Sequence, residues 1–111
     1  MKDCIFCNII NGSLPSDIVY ENDAVFVIKD IAPKAPIHYL IIPKKHLKDV
    51  TACAPEDLSV AGSMGEAAQY LAANIPHAED YRLVINNGYK AGQRVFHLHM
   101  HFLAGRESDD L

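Results

Sequence analysis

Near its C-terminal end the sequence reads His97-Leu98-His99-Met100-His101-Phe102-Leu103. Histidines at i, i+2 and i+4 fall on one face of an extended strand, while Leu98, Met100 and Phe102 fall on the other. The apolar face packs on a core and the imidazole face lines a cleft. Neutral imidazole, with an unperturbed pKa of about 6.5, is a competent nucleophile near neutrality. Gathering all three rings on one metal ion is awkward. Residues two apart on a strand are ~6.6–6.8 Å apart, so the outer pair stand ~13 Å apart, whereas zinc–nitrogen bonds are ~2 Å. Distinct roles for the three rings fit this spacing better than one shared ion. A merely polar or metal-binding strand face is the competing reading.

A second set of reactive side chains lies at the other end, where Cys4-Ile5-Phe6-Cys7 has the spacing of paired metal ligands. A redox pair or two packed cysteines have the same spacing. Cys53 is the third cysteine. An odd number, with no long apolar stretch after Met1, points to the reducing cytoplasm and away from a disulfide framework. Cys53 reads as packing, and His77 as an exposed residue in the connection 76–80.

A small set of elements must position these groups. Residues 4–10 are a short apolar stretch stopped by Asn11-Gly12. Residues 17–21 and 24–30 read as strands joined by a turn at Asn22-Asp23. Pro33 and Pro36 make 31–36 a loop. Residues 37–42 are a third strand, ended by Pro43. Residues 55–73 are the good helix candidate. Pro55 suits its first turn, Glu56 and Asp57 suit the positive end of its dipole, and Leu58, Ala61, Gly65, Ala68 and Leu71 recur at roughly helical spacing. Residues 81–86 and 95–103 complete five strands around the glycine-bearing segment 87–93. One helix with several antiparallel strands is an α+β arrangement, expected as a single domain over residues 1–111.

The net charge of −4 lacks the basic footprint of a nucleic-acid binder. A few local donors can nevertheless hold a phosphate whatever the net charge. No apolar run approaches the ~20 residues that cross a bilayer, so no membrane partner is expected.

The stretch 97–103 resembles the His-φ-His-φ-His-φ-φ signature of the histidine triad (HIT) superfamily. Other blocks resemble its nucleotide-binding Hint branch, in the Cys-x-x-Cys type that binds zinc: Cys4-Ile5-Phe6-Cys7-Asn8-Ile9-Ile10, Lys29-Asp30-Ile31-Ala32-Pro33, Pro36-Ile37-His38, Ile42-Pro43-Lys44-Lys45-His46, Asn86-Asn87-Gly88 and Ala91-Gly92-Gln93. The resemblance implies a five-stranded antiparallel sheet with one long and one short helix. It also implies a homodimer whose sheets join into ten strands. The implied chemistry is hydrolysis or transfer at the α-phosphate of purine nucleoside phosphoramidates or mixed anhydrides, releasing AMP or GMP. His99 would attack to form a nucleotidyl-histidine, and His101 would contact the phosphate oxygens. His97 and His38 would support the site. Asp30 would accept the ribose hydroxyls, and Phe6, Ile9, Ile28 and Ile31 would sandwich the base. Asn86, Gly92, Gln93 and Arg94 would lie on the phosphate side. The alternatives are a dinucleoside polyphosphate hydrolase, and a nucleotide-binding regulatory module with vestigial activity.

The resemblance also implies a structural zinc held by Cys4, Cys7, His46 and His97. Arg94 departs from the pattern, since many members of the branch carry serine or threonine there. It reads either as a clamp on a phosphate or acidic leaving group or as a solvated loop residue. The tail Glu107-Ser108-Asp109-Asp110-Leu111 is acidic and would discourage very anionic substrates.

Overall fold

A computed structural model describes residues 3–107. The acidic tail beyond Glu107 lies outside the described residues, as do residues 1–2.

Five strands form one antiparallel sheet: β1 (Ile18–Glu21), β2 (Val25–Lys29), β3 (Ile37–Pro43), β4 (Tyr81–Val84) and β5 (Met100–Ala104), in the order β1-β2-β3-β5-β4. β1 and β2 form the hairpin. Its turn is closed by the Asn22 side-chain oxygen, which accepts from the Ala24 and Val25 amides at 3.0 and 2.9 Å, as short polar turn residues do. The α+β class and the five strands agree with the sequence reading.

Two apolar layers flank the sheet. The long helix α2 (Val60–Asn74) packs Met64, Ala67, Ala68 and Leu71 on Val25, Val27, Tyr39, Ile41 and Phe102. The helix expected from residue 55 is split, with Pro55–Ser59 as a 3-10 turn and α-geometry starting only at Val60. Asp57 accepts from the Ala54 amide and pairs with Lys45 at 2.7 Å, which fixes the entry. On the opposite face the short helix α1 (Ile5–Ile10) packs Phe6 on Phe26, Ile28, Leu40 and Ile42. The Cys4 sulfur caps α1, accepting from the Cys7 amide at 3.3 Å.

The last strand was expected over 95–103 with three histidines on one face, but pairing starts only at Met100. The register sets Ile41 opposite Met100, so continuing it would set Pro43 opposite Leu98. Proline offers no amide to a ladder. The Leu98 amide donates instead to the Leu47 carbonyl at 2.6 Å. Residues 95–99 therefore run free of the sheet, and His97 turns away from His99 and His101. The fourth strand likewise stops at Val84 and not at Asn86.

Candidate functional site

The face of the sheet left open beside α1 borders a cavity of about 1430 Å³. The strand alternation decides what points into it. On β5, Met100, Phe102 and Ala104 are buried against α2, which leaves His101 and Leu103 for the cavity. His38 lies opposite Leu103, and Leu40 opposite His101. His99 precedes the strand and reaches the same space. Phe6, Ile9, Ile28 and Ile31 line one part of the cavity, Ile31 being 97 % exposed. Asp30, Asn86, Gly92 and Arg94 line other parts. Gly92, at φ +111°, sits against the Asn86 side chain, where a Cβ would be strained by the backbone conformation.

Three imidazoles have their protons assigned by main-chain groups, which donate or accept without ambiguity. The His99 Nδ1–H donates to the His97 carbonyl at 2.7 Å. Neutral His99 therefore carries its lone pair on Nε2. His38 Nδ1 accepts from the Lys34 amide at 3.0 Å, so its Nε2 bears the proton. That proton is offered to His101 Nδ1 at 2.8 Å, with the Asp30 carboxylate 3.4 Å away. His101 then keeps its own proton on Nε2, as a donor. Burial pushes the His101 pKa down to about 4, helped by His99 and His38. Burial also lowers His38, against the attraction of Asp30. Both rings are neutral near pH 7. Asp30 Oδ1 accepts from the Ala32 amide at 2.8 Å, which orients the carboxylate.

His97 belongs to a different cluster. It is 0 % exposed, and its Nε2–H donates to the Pro43 carbonyl at 2.7 Å. Its Nδ1 lone pair faces Cys4 Sγ at 3.3 Å and Cys7 Sγ at 3.6 Å, and His46 Nδ1 lies 3.2 Å from Cys7 Sγ. The four ligand atoms of Cys4, Cys7, His46 and His97 all lie within 4.8 Å of one another. Tetrahedral zinc, with bonds of ~2.3 Å to sulfur and ~2.0–2.1 Å to nitrogen, sets sulfur and nitrogen about 3.6 Å apart. The three sulfur–nitrogen distances of 3.3, 3.6 and 3.2 Å are within a few tenths of an ångström of that spacing. A proton on His97 Nε2 held by a carbonyl is also how a ligand imidazole is usually oriented. The donor set therefore fits zinc. Burial and the neighbouring Cys4 push the Cys7 thiol up, and a cation would offset that cost of ionising it.

Asp30, His38 and His101 also come within 4.8 Å of one another, but they do not fit a metal. The Lys34 amide occupies His38 Nδ1, which forces the proton onto Nε2 and leaves no lone pair for an ion. This trio is a hydrogen-bond chain.

The structure thus divides the residues that the sequence groups together. His99, His101, His38 and Asp30 share the cavity, whereas His97 joins Cys4, Cys7 and His46. Gln93, expected on the phosphate side, turns inward and is 2 % exposed. It donates to the Lys48 and Val95 carbonyls at 2.8 and 3.1 Å and accepts from the Gly88 amide at 2.8 Å. Its side chain holds the 88–93 loop together. Sequence reasoning passed over the roles of Lys34, Leu47 and Pro43, because each acts through its main chain. It also passed over a second role of Phe6, whose ring stands edge-on to His97 and His99 at 5.6 and 5.2 Å and so joins the two clusters.

The whole chain is similar to known proteins. Residues 3–110 match the family described as "Scavenger mRNA decapping enzyme C-term binding". An uncharacterized HIT-like protein of Synechocystis is 47% identical over 105 residues, which is 95% of this chain and 92% of that protein. A HIT family hydrolase from Clostridium thermocellum superposes with a TM-score of 0.94 at 43% identity, covering 100% of this chain and 97% of the other. A zinc-bound histidine triad family protein from Mycobacterium smegmatis superposes with a TM-score of 0.82 at 35% identity, covering 99% of this chain and 80% of the other. With the fold, the His97–His101 spacing and these matches together, the chain belongs to the HIT family.

Proposed function

We propose that the chain is a purine nucleoside phosphoramidase-like hydrolase acting at the α-phosphorus of phosphoramidates or mixed anhydrides through a nucleotidyl-His99 intermediate. The observation that carries this reading is the His99 Nδ1–H held by the His97 carbonyl at 2.7 Å. It makes Nε2 the nucleophilic nitrogen and fixes the plane in which its lone pair points. In the first step an Nε2–P bond forms and the bond from phosphorus to the leaving group breaks. Its electron pair goes to the leaving group, which takes a proton from water when it is an amine. In the second step water adds to phosphorus, the Nε2–P bond breaks, and AMP or GMP departs while the ring returns to neutral. His101 Nε2–H donates to a phosphate oxygen as charge builds there. Asp30 takes the ribose hydroxyls, and Phe6, Ile9, Ile28 and Ile31 hold the base. Asn86 and Gly92 lie towards the phosphate.

Four further assignments belong to this reading. Zinc on Cys4, Cys7, His46 and His97 is structural, since four protein ligands leave no open position. The chain acts as one HIT domain over residues 1–111. Two copies pair into a ten-stranded sheet. The cytoplasm is the compartment, which the three free cysteines fit; among the described residues no helix is long and apolar enough to cross a membrane.

The test is release of AMP from adenosine 5′-phosphoramidate. His99→Ala should lower kcat by on the order of 10⁴-fold or more, as removal of a nucleophile does. Nucleotide binding by the parent without turnover would instead indicate a binding module. Faster turnover of diadenosine polyphosphate than of the phosphoramidate would move the activity to that class.

A further inference from the structure

Arg94 stands on the wall of the cavity that His99 and His101 share, and the steps above leave it unused. Its guanidinium carbon lies 4.1 Å from the centre of the Tyr89 ring, within cation–π range. Nη1 donates to the Tyr89 carbonyl at 2.7 Å and to the Gln93 carbonyl at 3.1 Å. Both carbonyls belong to the loop that the buried Gln93 side chain ties down. The other edge of the group, formed by Nε–H and Nη2, meets no acceptor and no carboxylate among the described residues.

That free edge is the one that pairs side-on with an oxyanion. An arginine on an open surface gives up much rotamer freedom when it binds. Arg94 is itself exposed, but the ring and the two carbonyls already restrain the group, so less remains to be lost. We infer that Arg94 binds an oxyanion carried by the leaving group, so that among phosphoramidates and mixed anhydrides those whose leaving group bears a phosphate or a carboxylate are preferred. This rests on the proposed reading of the site and narrows its substrate class.

Two comparisons test it on the wild-type chain and on Arg94→Gln. The first is calorimetric affinity for AMP against α,β-methylene-ADP, whose second phosphate cannot be cleaved off. The second is kcat/KM for AMP joined through nitrogen to glycine against AMP joined to glycinamide. If the oxyanion is a phosphate, α,β-methylene-ADP binds about tenfold tighter than AMP and the gap closes in Arg94→Gln. If it is a carboxylate, the glycine conjugate turns over about tenfold better than the glycinamide conjugate, and that gap closes instead. Arg94→Lys, which keeps the charge without the fork, recovers only part of either gap. AMP bound normally with neither gap present, or a gap that survives in Arg94→Gln, overturns the inference alone. Failure to bind AMP at all removes the reading of the site and this inference with it.

Discussion

His38, His97 and His99 each have one ring nitrogen engaged by a main-chain group. That division separates a ring able to bind metal through Nδ1 from one able to attack through Nε2 and from one that passes its proton towards His101. The residue types were legible in the sequence, because three alternating histidines are rare on a strand. The tautomers were not, because the Lys34 amide and the His97 and Pro43 carbonyls are present whatever side chain stands there. His101 gives a pH prediction. Its folded pKa, near 4, lies below its ordinary value of 6.5, so between these values the unfolded chain takes a proton that the folded chain refuses. Stability should be level above about pH 6.5 and fall as pH drops towards 4. His38 shifts in the same direction. Urea midpoints from pH 7 to pH 4 should show this fall, and His101→Gln should flatten it. An unchanged slope in the variant would place the titration elsewhere.

At the scale of elements, β5 is short because its neighbour β3 ends at a proline. The departure from pairing lets His97 reach the cysteines. Period-2 patterning alone could not reveal this, since the alternation of polar and apolar residues runs unbroken through 97–102. Conversely, α1 is only six residues long, too short to hold itself together as an isolated helix. Its position depends on Phe6 in the apolar layer and on the cluster at Cys4 and Cys7. Chain purified without chelator should contain close to one zinc per copy by metal analysis. Stripping it should lower the melting temperature by roughly 10 °C, on the premise that bound metal contributes a few kcal/mol to a domain of this size. Absence of zinc, or an unmoved melting temperature, would reduce the cluster to ordinary packing. The hairpin and α2 were legible because Asn22-Asp23 and Pro55-Glu56-Asp57 are local signals. The 3-10 start of the helix was not, because Pro55-Glu56-Asp57 and the bond from the Ala54 amide to Asp57 serve either kind of helical turn.

For the whole molecule, the sheet has two edges, β1 and β4. On β4 and just past it, Tyr81, Leu83 and Ile85 are large apolar residues left exposed. Edge strands offer unpaired main-chain groups to another chain, so β4 is where a second copy should add its own strand. Leu83→Asp should then halve the mass measured by light scattering at low micromolar concentration, with the fold retained by circular dichroism. A parent chain that already runs as one copy would contradict the ten-stranded sheet. The alternation within β5 has a consequence of its own. His101 and Leu103 face the cavity while Met100, Phe102 and Ala104 look in at the helix. The cavity wall and the core are thus inherited on interleaved positions of one ribbon. A change at position 101 or 103 can reshape the cavity while the core keeps its packing, and a change at 100, 102 or 104 can soften the core while the cavity wall keeps its side chains.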